Sequence, residues 1–125
     1  MFSHIMVGSN DLEKGKAFYD AVLASLGVGP GTPFGDRVIY RGGGGAFGLT
    51  KPINGQPASF ANGGTIAFAC SSPEQVEAWH AAGVANGGAT CEDPPGPREN
   101  PAGRVYLAYL RDPDGNKLCA MHPIE

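Results

Sequence analysis

An α+β fold built from two tandem βαβββ modules, a curved mixed sheet around a cavity with the helices outside, is predicted by three observations. The chain repeats itself, each copy opens as a strand that switches at once into a capped helix, and glycine-rich turns break the remainder into short strands.

The repeat appears when Ser3–Val7 is laid over Gly64–Phe68 and continued without a gap: Glu13 falls on Glu74, Phe18 on Trp79 and Val22 on Gly83. It divides the 125 residues into module one, about 1–60, and module two, about 61–125, of a single domain. Each copy starts with a short apolar run rich in β-branched and aromatic residues, the pattern of a strand. Helix one then starts at Asn10 or Asp11, with Glu13 placed to close a capping box on Asn10. Helix two starts at Ser72, with Pro73 at its first position and Gln75 three residues after the cap. Gly15, Phe18, Tyr19, Val22 and Leu26 form one apolar stripe and Val76, Trp79, His80 and Gly83 the equivalent one, so Phe18 and Trp79 are core. Gly27 and Gly87 or Gly88 supply the left-handed residue that ends each helix.

After each helix come a short strand, around Gly31–Phe34 or Ala89–Glu92, and a hairpin. The first hairpin joins Arg37–Tyr40 to Ala46–Leu49 through Gly42–Gly45; the second joins Val105–Leu110 to Lys117–Met121 through Asp112–Asn116. The Pro-rich stretch Glu92–Gly103 is long for a connector and reads as a lid. Two such sheets enclose a cavity when each covers the other's concave face, within one chain or across a dimer.

Composition narrows the partners. A formal charge of -3 without a basic run gives no footprint for nucleic acid or an anionic membrane. Three cysteines with no CxxC support neither a disulfide framework nor a zinc ribbon and fit a reducing cytoplasm. The first residues lack the basic region and long apolar run of a signal peptide or membrane span. Asp112, Asp114 and Asn116 imitate the start of a calcium loop, but Lys117 stands where that loop requires glycine. The Gly42–Gly45 run lacks the Lys-Ser/Thr and helix start of a phosphate loop.

The "HIMV" start, the "SNDLEKGKAFY" strand-to-helix segment, the repeat and "YLRDPDGNKL" together resemble the vicinal oxygen chelate superfamily of glyoxalases, bleomycin resistance proteins and extradiol dioxygenases. The resemblance spans essentially the whole chain. It implies a small-molecule ligand, a homodimer and, where the ligand set is complete, a divalent zinc, nickel, manganese or iron ion held by four positions. The first position matches His4, which the resemblance makes a metal ligand or catalytic base. The others fall on Thr65, on Cys119, and on Gly48 or Leu49. Because this set is degenerate, the resemblance implies a protein that binds a small molecule between its modules. The alternative is a metal-dependent lyase, similar to lactoylglutathione lyase, or a dioxygenase using His4.

Each candidate has a plainer reading beside the functional one. His4 is a ligand, a base, or a cavity-lining histidine with a satisfied hydrogen bond. Cys119 is a thiol facing the ligand or a small buried filler. His122 lies on the other side of the strand from Cys119, so Cys-x-x-His there cannot converge on one ion. Tyr109 and Met121 share the Cys119 face and, with Thr65, are expected to touch a ligand. Some of Tyr40, Tyr106 and Tyr109 are expected to form aromatic walls. Arg98 or Arg37 meets an anionic group of a ligand or is simply solvated.

Overall fold

The computed structural model describes residues 1–101 and 103–124. Module one runs β1 (His4–Gly8), α1 (Leu12–Ala24), β2 (Thr32–Phe34), β3 (Arg37–Gly42) and β4 (Gly45–Thr50). Module two runs β5 (Ile66–Ala69), α2 (Pro73–Ala85), β6 (Ala89–Thr90), β7 (Gly96–Asn100), β8 (Gly103–Arg111) and β9 (Lys117–Ile124). The expected α+β layout therefore holds, resolved into two mixed sheets: β1-β4-β3-β2, and β5-β9-β8-β6 with β7 also on β8. In each the first strand lies parallel to the last, while the hairpins are antiparallel.

The helix ends follow local side-chain chemistry. Asp11, not Asn10, caps α1 by accepting from Lys14 N at 3.1 Å. Asn10 is drawn away to the connector, where its Oδ1 accepts from Ala58 N at 2.7 Å and its Nδ2 donates to Ala58 O at 3.2 Å. The expected box with Glu13 gives way to that long-range pair. Ser72 caps α2 by accepting from Gln75 N, and Gln75 Oε1 accepts in return from Ser71 N. Gly27 and Gly87 take the left-handed conformation, with φ of 82° and 97°.

One core serves both modules. Phe18, Tyr19 and Val22 of α1 and Val76 and Trp79 of α2 are fully buried, together with the helix-facing residues Leu49, Leu110, Leu118 and Ala120 of the sheets. The packing of α2 against β8 and α1 depends on Gly83 and Gly88. A Cβ on Gly83 would lie 2.3 Å from Leu110 Cδ1, and one on Gly88 would lie 2.5 Å from Phe18 Cε1 and 2.9 Å from Gly83 O.

The Asp112–Asn116 turn fastens module two to module one. Asp112 is buried, and its Oδ1 accepts from Asp114 N and Asn116 N while its Oδ2 accepts from the Tyr19 hydroxyl and Asn116 Nδ2. A buried carboxylate is tolerated when its lone pairs are filled in this way. Asn116 Nδ2 also donates to Gly8 O, and Asp114 accepts from Asn10 N.

The expected lid at Glu92–Gly103 is corrected. Gly96–Asn100 is a strand, β7, antiparallel to β8 with Arg98 opposite Val105. Proline argued for a loop, but β7 is an edge strand, where Pro97 is accommodated without breaking a two-sided ladder.

Candidate functional site

Residues alternate between the two faces of a strand, and directly paired residues share a face. On module one, Ile5, Val7, Val38, Tyr40, Phe47 and Leu49 belong to the core side. The opposite, open face is therefore ordered in rows across β3, β4 and β1. Arg41, Ala46 and His4 form one row, Ile39, Gly48 and Met6 the next, and Arg37, Thr50 and Gly8 the third. These residues line most of a cleft of about 730 Å³, whose rim carries Phe34, Lys51 and Ile53. Gly48 lets the middle row close up, since a Cβ there would lie 2.6 Å from Met6 Sδ and 2.9 Å from Ile39 Cδ1.

His4 is exposed, and its Nδ1 lies 2.8 Å from Ser3 Oγ. Nε2 is thus the ring atom left to meet a ligand. Besides the large cleft, His4 lines a second one of about 470 Å³ that also touches Ile66–Ala69 of β5. Thr65, also exposed, lines a third of about 290 Å³ with Met6, Gly8 and Asn116. The second and third clefts follow the seam where β1 and β5, each the outer strand of its own sheet, lie near one another.

On module two the open face holds Val105, Leu107 and Cys119, packed by Tyr109 and Met121 in a small cluster apart from the main core. Cys119 lies opposite Tyr109 on one side and Ala67 on the other. It is 2 % exposed, and burial first, then the neighbouring Cys70 and Glu92, push its thiol up to about 11. It is held as a thiol at neutral pH. Lys117 sits 4.8 Å over the Tyr109 ring and pairs with Glu92. Arg98 is folded back on its own strand, donating to Pro94 O at 2.8 Å and Pro97 O at 3.2 Å.

Of the sequence candidates, Cys119, Tyr109 and Met121 are thus brought together, whereas His4 stands in the module-one cleft and Thr65 at the seam. His122 is on the helix side, opposite Tyr106, with its Nδ1 2.9 Å from Cys70 O. Tyr40 and Tyr106 are not open-face walls. Tyr40 is core and donates to Asp20, and Tyr106 donates to Glu77 of α2.

Register decides between Gly48 and Leu49. Gly48 pairs with Met6 as Cys119 pairs with Ala67, the Met6 counterpart in the repeat, so Gly48 is the counterpart of Cys119. The four positions at which the resemblance places metal ligands are then His4, Gly48, Thr65 and Cys119. A glycine, a hydroxyl and a buried neutral thiol do not make a donor set with one imidazole. Among the described residues no three His, Cys, Asp or Glu side chains come together in a way that would hold an ion.

This fold and its altered ligand positions can be set against known proteins. The family model of the Glyoxalase/Bleomycin resistance protein/Dioxygenase superfamily matches residues 1–120. The chain belongs to that superfamily. A crystal structure of a glyoxalase/bleomycin resistance protein from Albidiferax ferrireducens T118 shares 63% identity, covering 98% of this chain and 99% of that one, with a TM-score of 0.97. Two more distant structures show the glyoxalase fold alone. A glyoxalase-related enzyme from Fulvimarina pelagi is 20% identical over 98% of this chain and 88% of its own, TM-score 0.76. A lactoylglutathione lyase from Agrobacterium tumefaciens is 23% identical over 98% and 92%, TM-score 0.67. No curated protein matches the chain. No helix in this superfamily member is long and apolar enough to cross a membrane among the described residues.

Sequence reasoning passed over Arg41 and Lys51. The signal was present in "RVIYR", whose alternation puts Arg37, Ile39 and Arg41 on one face and Val38 and Tyr40 on the other.

Proposed function

We propose that this protein binds a small, partly aromatic molecule in the module-one cleft and the clefts along the seam of its two modules, and acts by sequestration, without a metal. One observation carries the reading: of the four positions where the resemblance places ligands, only His4 bears an accessible imidazole or carboxylate, Thr65 offering a neutral hydroxyl and Cys119 a buried thiol. The chain's own groups suffice for binding. Met6 and Ile39 offer an apolar floor, His4 Nε2 meets a polar atom, and on the other module Tyr109 and Met121 flank the buried Cys119. A homodimer in the cytoplasm belongs to the same proposal.

The test is to purify the full chain without chelator and measure bound divalent metal. The hemithioacetal of methylglyoxal and glutathione is then assayed with added nickel, zinc, manganese or iron. The expected result is substoichiometric metal and no turnover, with aromatic compounds raising the melting temperature of the metal-free protein. Stoichiometric metal accompanied by turnover would overturn it in favour of a lyase or dioxygenase using His4.

A further inference from the structure

The module-one cleft carries a charge pattern that runs against the rest of the chain. The protein's formal charge is -3, yet none of the residues lining this cleft is acidic, and Arg37, Arg41 and Lys51 all stand in it. All three are exposed, and no carboxylate is bound to any of them among the described residues. Cations that serve only as a solvated surface tend to be interspersed with acidic side chains. Here they ring an apolar floor.

Their placement is ordered. Arg41 and His4 flank Ala46 in one row, and Arg37 stands beside Thr50 two rows away, with Lys51 following in sequence. Between them lie Ile39 and Met6, closed over Gly48, while Phe34 and Ile53, 69% and 96% exposed, add apolar surface at the rim. Arg41 lies four positions along the extended strand from Arg37, which sets the two cationic ends about 13 Å apart. The floor is an apolar stretch between two positive ends.

We infer that the cleft takes an elongated organic anion, with an apolar body lying over Met6, Gly48 and Ile39 and an acidic group at each end, one meeting Arg41 and His4 and the other Arg37 and Lys51. Guanidinium groups suit this task because their planar donor forks match carboxylates in pairs. Apolar contact supplies the non-directional part of the affinity, and the charges select against neutral and cationic compounds. This inference rests on the small-molecule reading above and gives its ligand a chemical class.

Isothermal titration of the full chain with decanedioate, decanoate, decanediol and diaminodecane tests it. The dianion is expected to bind tightest and the monoanion about tenfold more weakly, with the diol and the diamine giving no measurable binding. Raising salt from about 0.02 M to about 0.5 M should weaken the dianion about tenfold, because the charges are exposed. R37Q and R41Q should each bring the dianion down to the monoanion's affinity, while K14Q, an exposed charge change on α1, leaves it unaltered. R37K and R41K should lose less than the glutamine variants, which a general loss of folding would not produce.

Equal binding of diol and diacid would sink the charge inference and leave the pocket reading standing. Failure of every probe, together with no stabilisation by any aromatic compound, would sink both. A further outcome is that no probe binds and R37E/R41E halves the sedimenting mass. A second copy would then occupy the cleft, and the inference falls.

Discussion

The Tyr19 hydroxyl donates to Asp112 Oδ2 at 2.5 Å across 93 residues of sequence, joining the first helix to the turn of the second module. Both groups are buried, so the hydroxyl depends on the carboxylate for its solvation, while the carboxylate has three further donors in Asp114 N, Asn116 N and Asn116 Nδ2. Tyr19→Phe removes one of the carboxylate's donors while keeping the ring against Phe18 and Phe47. Loss of a buried hydrogen bond to a charged acceptor predicts a destabilisation of about 2 kcal/mol in urea unfolding, with an unchanged m-value. A change below about 0.5 kcal/mol would show that water replaces the hydroxyl.

The pH dependence follows from two phenols. Burial, followed by the Asp112 charge, raises Tyr19 well above its ordinary range, and burial with the bond to Asp20 raises Tyr40. Their folded-state values lie above the unfolded value of about 10. The stabilisation from keeping them neutral is therefore complete below about pH 10 and is lost as pH climbs from there toward the folded-state values. The urea midpoint should fall above about pH 10, and Tyr40→Phe should show a shallower fall than the parent. Parallel slopes for the two proteins would contradict this.

Thiol reactivity should separate the three cysteines. Cys119 and Cys70 are buried, and burial pushes both thiols up, whereas Cys91 is partly exposed. At neutral pH a disulfide reagent is expected to titrate one thiol quickly in the native protein and three after unfolding. Rapid labelling of Cys119, identified by peptide mapping, would instead mean that the open face of module two is accessible and its thiol activated.

Gly88→Ala tests how closely the end of α2 approaches α1. The added methyl meets Phe18 and two backbone carbonyls, of Gly83 and Arg111, which have little room to give. Overpacking of this kind predicts a loss of about 2 kcal/mol, read as a lower melting temperature. Alanine tolerated at no loss would mean that the helices slide apart without penalty.

Much of the fold could be read from the chain because its signals are local. The Ser72–Pro73–Gln75 start, the glycines that end both helices and the Gly43–Gly44 turn act within a few residues, and duplication made each visible twice. Long-range pairing was not legible. Of the two cap candidates Asn10 and Asp11, Asp11 caps and Asn10, expected to box with Glu13, is held instead by Ala58, while β7 forms because β8 offers it an edge, against the proline content of its own segment. The open faces were partly legible. Alternation put Cys119, Tyr109 and Met121 together. Alternation in "RVIYR" already put Arg37 and Arg41 on one face, but their place beside Ala46, His4 and Thr50 came only from the register.

The two sheets have a mechanical implication. β1 and β5 each end a sheet, so among the described residues no backbone ladder crosses from one half of the molecule to the other. The halves are joined by the shared apolar interior and by side-chain ties such as Asn116 to Gly8. A chain severed in the exposed Asn54–Gly55 stretch should stay together as two complementing fragments. The same two pieces, expressed separately, should find each other on mixing.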